Sequence, residues 1–124
     1  MTAICLLRAG PLTTLQDAGR PGYLRYGISA SGPMDRTSFH RAGGWLGSAG
    51  STAVEFTMAG LAFVVEGGPV AVACDGGSFT LNHNRKAVAW PARLMLRDGD
   101  EVEIAPGPAG NYGYLRFNRE INVA

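Results

Sequence analysis

Residues 10–35 read GPLTTLQDAGRPGYLRYGISASGPMD. Gly10, Gly19, Gly22, Gly27 and Gly32 can take backbone angles that other residues avoid. Pro11, Pro21 and Pro33 fix their own backbone and restrict the residue before each. Between them stand polar groups that a turn does not need: Gln16, Asp17, Arg20, Tyr23, Arg25, Tyr26, Ser29, Ser31 and Asp35. Most connections run to a handful of residues, so a plain linker would be shorter. Two readings fit. One is a set of twisted strands with tight turns and a surface Asp–Arg pair. The other is a pocket wall, where glycines let backbone approach a ligand while Asp17, Arg20 and Asp35 supply charge.

The end of this stretch starts the one helix that the pattern supports, over residues 33–46. Proline at the first helical position loses no needed hydrogen bond. Asp35 in the first turn suits the helix dipole. Phe39, Ala42, Trp45 and Leu46 fall at helical spacing and form one apolar stripe, and Gly47 is a good stop. Gly43-Gly44 weakens the last turn by about 1 kcal/mol per glycine against alanine, and leaves room for Trp45 or a strand to pack closely.

Outside the helix the apolar period is two. Strands are predicted over 3–9, 13–16 and 23–28. Val54, Phe56 and Met58 then alternate with Glu55 and Thr57. Residues 61–66 follow, and 70–74 are nearly all apolar, predicting a strand buried on both faces. Asp75-Gly76-Gly77 turns the chain. Strands 78–81 and 87–90 flank a hairpin turn at Asn82-His83-Asn84-Arg85. Strands at 93–97, 101–105 and 112–117 complete the pattern, with 106–111 as a loop. Many short strands and one helix predict a mainly β domain, as a closed or nearly closed barrel or as a sandwich. The ending NREINVA carries Ile121 and Val123 and reads as a chain cut part-way through an element.

The chain has 124 residues, 46% apolar and 17% charged, with net charge +1. This bounds it to one domain, 1–124, with a single core. The charge balance gives no electrostatic case for nucleic acid or an anionic membrane. No apolar run is long enough to span a bilayer and the N-terminus has no signal-peptide pattern, so the expectation is a cytoplasmic protein. Cys5 and Cys74 lie in apolar runs and read as small buried hydrophobes. His40 and His83 are the only histidines, and no zinc, phosphate-loop, dinucleotide or Ser-His-Asp pattern occurs. What remains are carboxylates with partners: Asp17 near Arg20, Asp35 at the helix start, Glu55 in a half-apolar strand and Asp75 in a glycine turn. On alternation alone, Glu55 faces outward.

The opening stretch resembles the N-terminal signature of a carboxyltransferase-type family. That family includes the C component of 5-oxoprolinase, allophanate hydrolase subunit 2 and the carboxyltransferase domain of urea amidolyase. Gly10, Thr13 or Thr14, Gln16, Asp17, Gly19, Arg20, Gly22 and Tyr23 fit its first motif. Gly27, Ser31, Gly32, Met34 and Asp35 fit the second. Val54, Glu55, Phe56, Thr57 and Gly60 are similar to its L-E-x-T-x-x-G segment, and Gly113-Tyr114-Leu115 to a later strand. Two segments depart. Cys74-Asp75-Gly76-Gly77 replaces a G-A-D segment, and the run from Tyr114 to Ile121 lacks a glycine pair.

The resemblance implies a cyclophilin-like β-barrel forming the N-terminal half of a two-half subunit, with the second half absent. It implies a partner subunit of related fold, of the type of the 5-oxoprolinase B component or allophanate hydrolase subunit 1, and self-association of the domain alone. It also implies one of two chemistries on a small amide or urea-like substrate: ATP-dependent 5-oxoproline hydrolysis, or carboxyl transfer from carboxybiotin. Both need donors for a developing oxyanion and a base for an N–H proton. Carried onto matching positions, Arg20 would be an oxyanion donor, with Asp17 or Asp35 orienting it or acting as base. Ser31 and the Gly32 backbone would bind polar substrate atoms, alongside Gln16, Gly19, Tyr26, Met34, Glu55 and Thr57. The competing expectation is a non-catalytic binding or regulatory module, or a truncated domain inactive alone.

Overall fold

The computed structural model describes residues 2–10, 13–16, 33–50 and 53–123. The strand predicted at 23–28 lies outside them. The elements in chain order are β1 (Ala3–Ala9), β2 (Thr14–Gln16), α1 (Arg36–Leu46), β3 (Ala53–Phe56), β4 (Leu61–Glu66) and β5 (Val70–Asp75). Then come β6 (Ser78–His83), β7 (Lys86–Val88), β8 (Ala92–Leu96), β9 (Glu101–Ala109), β10 (Gly113–Phe117) and β11 (Asn122–Val123).

They build two sheets. One has the order β11-β1-β4-β9-β6-β7, the other β2-β3-β10-β5-β8. Pairing is antiparallel except where β11 runs parallel to β1, with Asn122 opposite Ala3. The expected closed barrel is therefore corrected to an open pair of stacked sheets. Alternation says only that each strand has one apolar face. Closure needs strands at the sheet margins to pair, and among the described residues β7, β11, β2 and β8 leave those margins apart.

The core lies between the sheets. Ile4, Leu61, Phe63, Val65, Phe79, Leu81, Val102 and Ile104 come from one, and Val54, Phe56, Val70, Val72, Cys74, Leu96, Leu115 and Phe117 from the other. The opposite face of the five-stranded sheet carries α1. Ala71 and Ala73 pack on Ala42 and Leu46, while Ala53 and Tyr114 pack on Phe39. β5 is thus buried on both faces, as its unbroken apolar run predicts.

The helix differs from its prediction at its start. Asp35 is the cap before Arg36, not a first-turn residue, and its carboxylate accepts the Ser38 N–H. A capped start is reached this way because a short carboxylate can replace the missing carbonyl partner. Phe39, Ala42 and Leu46 are buried, but Trp45 is 41% exposed. The last predicted strand position, Met58, lies in a turn that Gly60 closes at φ 76, with its N–H donating to the Thr57 carbonyl at 2.9 Å. β9 runs past its predicted end through Pro106 and Gly107. There the register against Ser78 and Phe79 shifts, absorbing a proline that lacks an N–H. The predicted hairpin holds, with Asn84 and Arg85 both at positive φ as a two-residue turn requires. Among the described residues no helix is long and apolar enough to cross a membrane.

Candidate functional site

Register puts four polar side chains in one row across the five-stranded sheet. Thr14 lies opposite Glu55, Glu55 opposite Tyr114, and Tyr114 opposite Asp75. Side chains directly opposite share a face. This is the face away from the core, because Val54, Phe56, Cys74 and Leu115 occupy the other. Thr14, at the sheet margin, is exposed, but from Glu55 to Asp75 the row is not wet, because the start of α1 covers it. Glu55 is 4% exposed and Asp75 2%.

Two neighbouring backbone N–H groups at the helix start reach into the row. Met34 donates to Glu55 Oε2 at 2.9 Å, and Asp35 donates to the Tyr114 hydroxyl at 2.8 Å. Tyr114 in turn donates to the same Glu55 Oε2. Burial, reinforced by this bond to Glu55, pushes the Tyr114 hydroxyl well above the usual phenol range. One carboxylate oxygen, Oε2, thus takes both donors.

On the other side of Tyr114, Arg41 Nε and Nη2 donate to the two oxygens of Asp75 at 2.6 and 2.8 Å. Asp75 also accepts the Gly76 N–H at 2.7 Å. The Arg41 side chain is 53% exposed, so the pair joins a buried carboxylate to a guanidinium at the surface. Ser38 bridges the halves, donating its hydroxyl to Asp35 Oδ2 at 2.6 Å and accepting from Arg41 Nη2 at 3.5 Å. The Ser38 hydroxyl is the main cause of a lowered Asp35 pKa.

Arg116, two residues beyond Tyr114 on the same face, anchors the helix from below. Its Nη1 donates to the Phe39 carbonyl at 3.1 Å and its Nη2 to the Gly50 carbonyl at 2.9 Å. The guanidinium carbon stands 4.2 Å from the Phe39 ring centroid. Burial lowers its pKa. Gly43 is where the helix needs glycine, since a Cβ there would lie 2.3 Å from Arg116 Nη1.

The residues expected from sequence fall into three groups. Asp17, Gly19, Arg20, Tyr26, Ser31 and Gly32 lie outside the described residues. Asp35, Met34 and Glu55 are brought together, Asp35 as a cap and Met34 through its backbone, its side chain being 67% exposed. Gln16 pairs its backbone with Ala53, and Thr57 sits in the turn after β3, outside the hydrogen bonds of the Glu55 cluster. Tyr114, Ser38 and Arg41 were not expected. For Tyr114 the signal was present, as an aromatic with a polar tip on the non-core side of a strand. Ser38 and Arg41 follow Asp35 at helical spacing, i+3 and i+6, which could have marked one face.

The fold is thus a two-sheet sandwich with one helix seated over a buried Glu–Tyr–Asp row. The family model described as carboxyltransferase domain, subdomain A and B, matches residues 26–124, and the chain belongs to this family. It is 32% identical over 116 residues to the urea amidolyase of Lachancea kluyveri, covering 92% of this chain and 6% of that protein. It is 31% identical over 120 residues to the 5-oxoprolinase C component of Escherichia coli (strain K12), covering 95% of this chain and 38% of that one. The crystal structure of the K. lactis urea amidolyase matches with a TM-score of 0.78 at 31% identity, over 91% of this chain and 7% of its own. The chain therefore spans well under half of these relatives.

Proposed function

We propose that this chain is the part of a carboxyltransferase-type enzyme that holds a small amide or urea-like acceptor, with Glu55 receiving its N–H proton. The observation that carries this is the division of labour within Glu55. Oε2 is fixed by Met34 N–H and Tyr114 O–H, which orients Oε1. A base must be within hydrogen-bond reach of the proton it takes, and a carboxylate held by one oxygen presents the other in a set direction. Arg41, held by Asp75, offers donors for a carbonyl oxygen. The names of the relatives, urea amidolyase and 5-oxoprolinase, fit an acceptor of this class.

The family implies ATP or carboxybiotin as donor. The described cluster does not fit either. Three carboxylates, Glu55, Asp35 and Asp75, meet two cations there, Arg41 and Arg116, and the surplus negative charge disfavours an anionic group. Among the described residues no group of acidic, histidine or cysteine side chains could hold a metal ion. On the same reading the domain works with a partner subunit of related fold in the cytoplasm.

The burial of Glu55 favours a second reading, in which the row is a structural tie and the domain a non-catalytic binding module. Binding of urea, 2-pyrrolidinone and 5-oxoproline, followed by calorimetry on the protein and on Glu55→Gln, separates the two. Binding that weakens at least several-fold in the folded variant supports the acceptor site. Binding that Glu55→Gln leaves unchanged sinks it in favour of the module.

A further inference from the structure

The six-stranded sheet carries no helix on its outer face among the described residues. Instead it holds an open groove of about 400 Å³ lined by Leu7, Ala62, Asn82, Arg85, Glu101 and Glu103. Register explains the shape. Ala62 lies opposite Glu103 and Glu103 opposite Asn82, while Val64 lies opposite Glu101. On its other side Ala62 lies opposite Arg8, whose guanidinium is turned to the Ala59 and Ile104 carbonyls, so the short Ala62 side chain is the low point beside Leu7 and Glu103. The solvent face of an antiparallel sheet is ordinarily polar, yet Leu7 is 61% exposed here. Glu101 and Glu103, two apart on β9, point to the same side and supply an acidic wall.

That wall is pre-set. Asn84 Nδ2 donates to Asp100 Oδ1 at 3.0 Å, His83 Nε2 lies 3.0 Å from Asp100 Oδ2, and Glu101 N–H donates to Asn84 Oδ1 at 2.8 Å. The hairpin tip bearing Arg85 is thereby pinned to the start of β9. The groove crosses β1, β4, β9 and β6, three strand spacings or roughly 14 Å. A helix with side chains is roughly 10–12 Å across. The five-stranded sheet shows what such a face accepts, since its own outer alanines, Ala53, Ala71 and Ala73, lie under Phe39, Ala42 and Leu46 of α1.

We propose that this groove docks a basic amphipathic helix of a partner protein, a surface separate from the Glu55 row. The apolar stripe of that helix rests on Leu7 and Ala62, and its lysines or arginines pair with Glu101 and Glu103. Arg85 sets the direction, because it favours the negative C-terminal end of the helix dipole.

The test uses the isotope-labelled full chain and two synthetic helical peptides with the same leucine stripe, one carrying lysines and one glutamates. The lysine peptide is expected to shift the amide signals of Leu7, Ala62, Glu101 and Glu103 and to bind more tightly than the glutamate peptide. The double variant Glu101→Lys, Glu103→Lys is expected to reverse that preference. Two exposed ion pairs correspond to a change of about two- to thirtyfold in Kd for each peptide. Both substitutions are at the surface, and an otherwise unchanged amide spectrum verifies the fold. Equal binding of both peptides, no binding, or shifts confined to another face would overturn the proposal. So would dilution-dependent shifts of the same signals in the protein alone, which would make a second copy the occupant.

Discussion

Tyr114 and Glu55 are cross-strand neighbours on β10 and β3, and the tyrosine hydroxyl donates to the glutamate while accepting the Asp35 N–H. A single oxygen atom thus ties two strands to the start of the helix. Tyr114→Phe removes that atom and leaves a covered N–H without its acceptor. The expected loss is about 1–3 kcal/mol of stability, read as a lower denaturant midpoint with an unchanged slope. An unchanged midpoint would mean that the helix start is held by Asp35 and Met34 without the tyrosine.

Gly43 and Gly44 should respond to alanine with opposite signs. A Cβ at Gly44 meets nothing within 4 Å, so only the helix propensity changes, a gain of about 1 kcal/mol. A Cβ at Gly43 would lie 2.3 Å from Arg116 Nη1 and 2.9 Å from its central carbon. The guanidinium would have to leave the Phe39 and Gly50 carbonyls. The expected net loss is about 1–3 kcal/mol, since breaking buried charged hydrogen bonds outweighs the propensity gain. Thermal denaturation of the two single variants checks this, and a stabilised Gly43→Ala would show that Arg116 can move at no cost.

The turn before β9 makes stability depend on acid pH. The Asn84 amide, then the Arg97 N–H and His83, hold the Asp100 carboxyl down to about 2 from its usual 3.8. The unfolded chain takes up the proton first as pH falls. The stabilisation is therefore complete above about pH 4 and is lost as pH falls through about 2. Asp35, lowered by Ser38, adds in the same direction. Urea midpoints at about pH 5 and about pH 2.5 should fall further for the native protein than for Asp100→Asn. Parallel falls would assign the acid sensitivity to other carboxyls.

Legibility in the sequence followed the kind of signal. Period-two alternation placed Val54 and Phe56 in the core and Glu55 on the opposite face, all as found. It could not show that Glu55 is buried, because a second layer on that face is a tertiary fact. The apolar run of β5 did announce two covered faces. Pro33 pulled the predicted helix start too early, since proline at a first helical position and proline just before a cap read alike. Asp75 stood out as a carboxylate in a glycine turn and as a departure from a family segment, but nothing in the sequence named Arg41 as its partner. No local pattern joins residues 34 positions apart in the chain. The sandwich was one of two architectures the strands allowed, and pairing at the sheet margins decided between them.

β5 also has a mechanical consequence. Its Val72 and Cys74 side chains belong to the inter-sheet core, its Ala71 and Ala73 side chains to the helix contact, and its last residue is Asp75. The wall between the deepest part of the molecule and the Glu55 row is therefore one polypeptide thick. Close-packed interiors transmit strain rather than absorb it. A methyl group lost at Val72 would be felt at Asp75, three residues along the same strand, and through it at Arg41, and a ligand pressing on α1 would reach the core by the same strand.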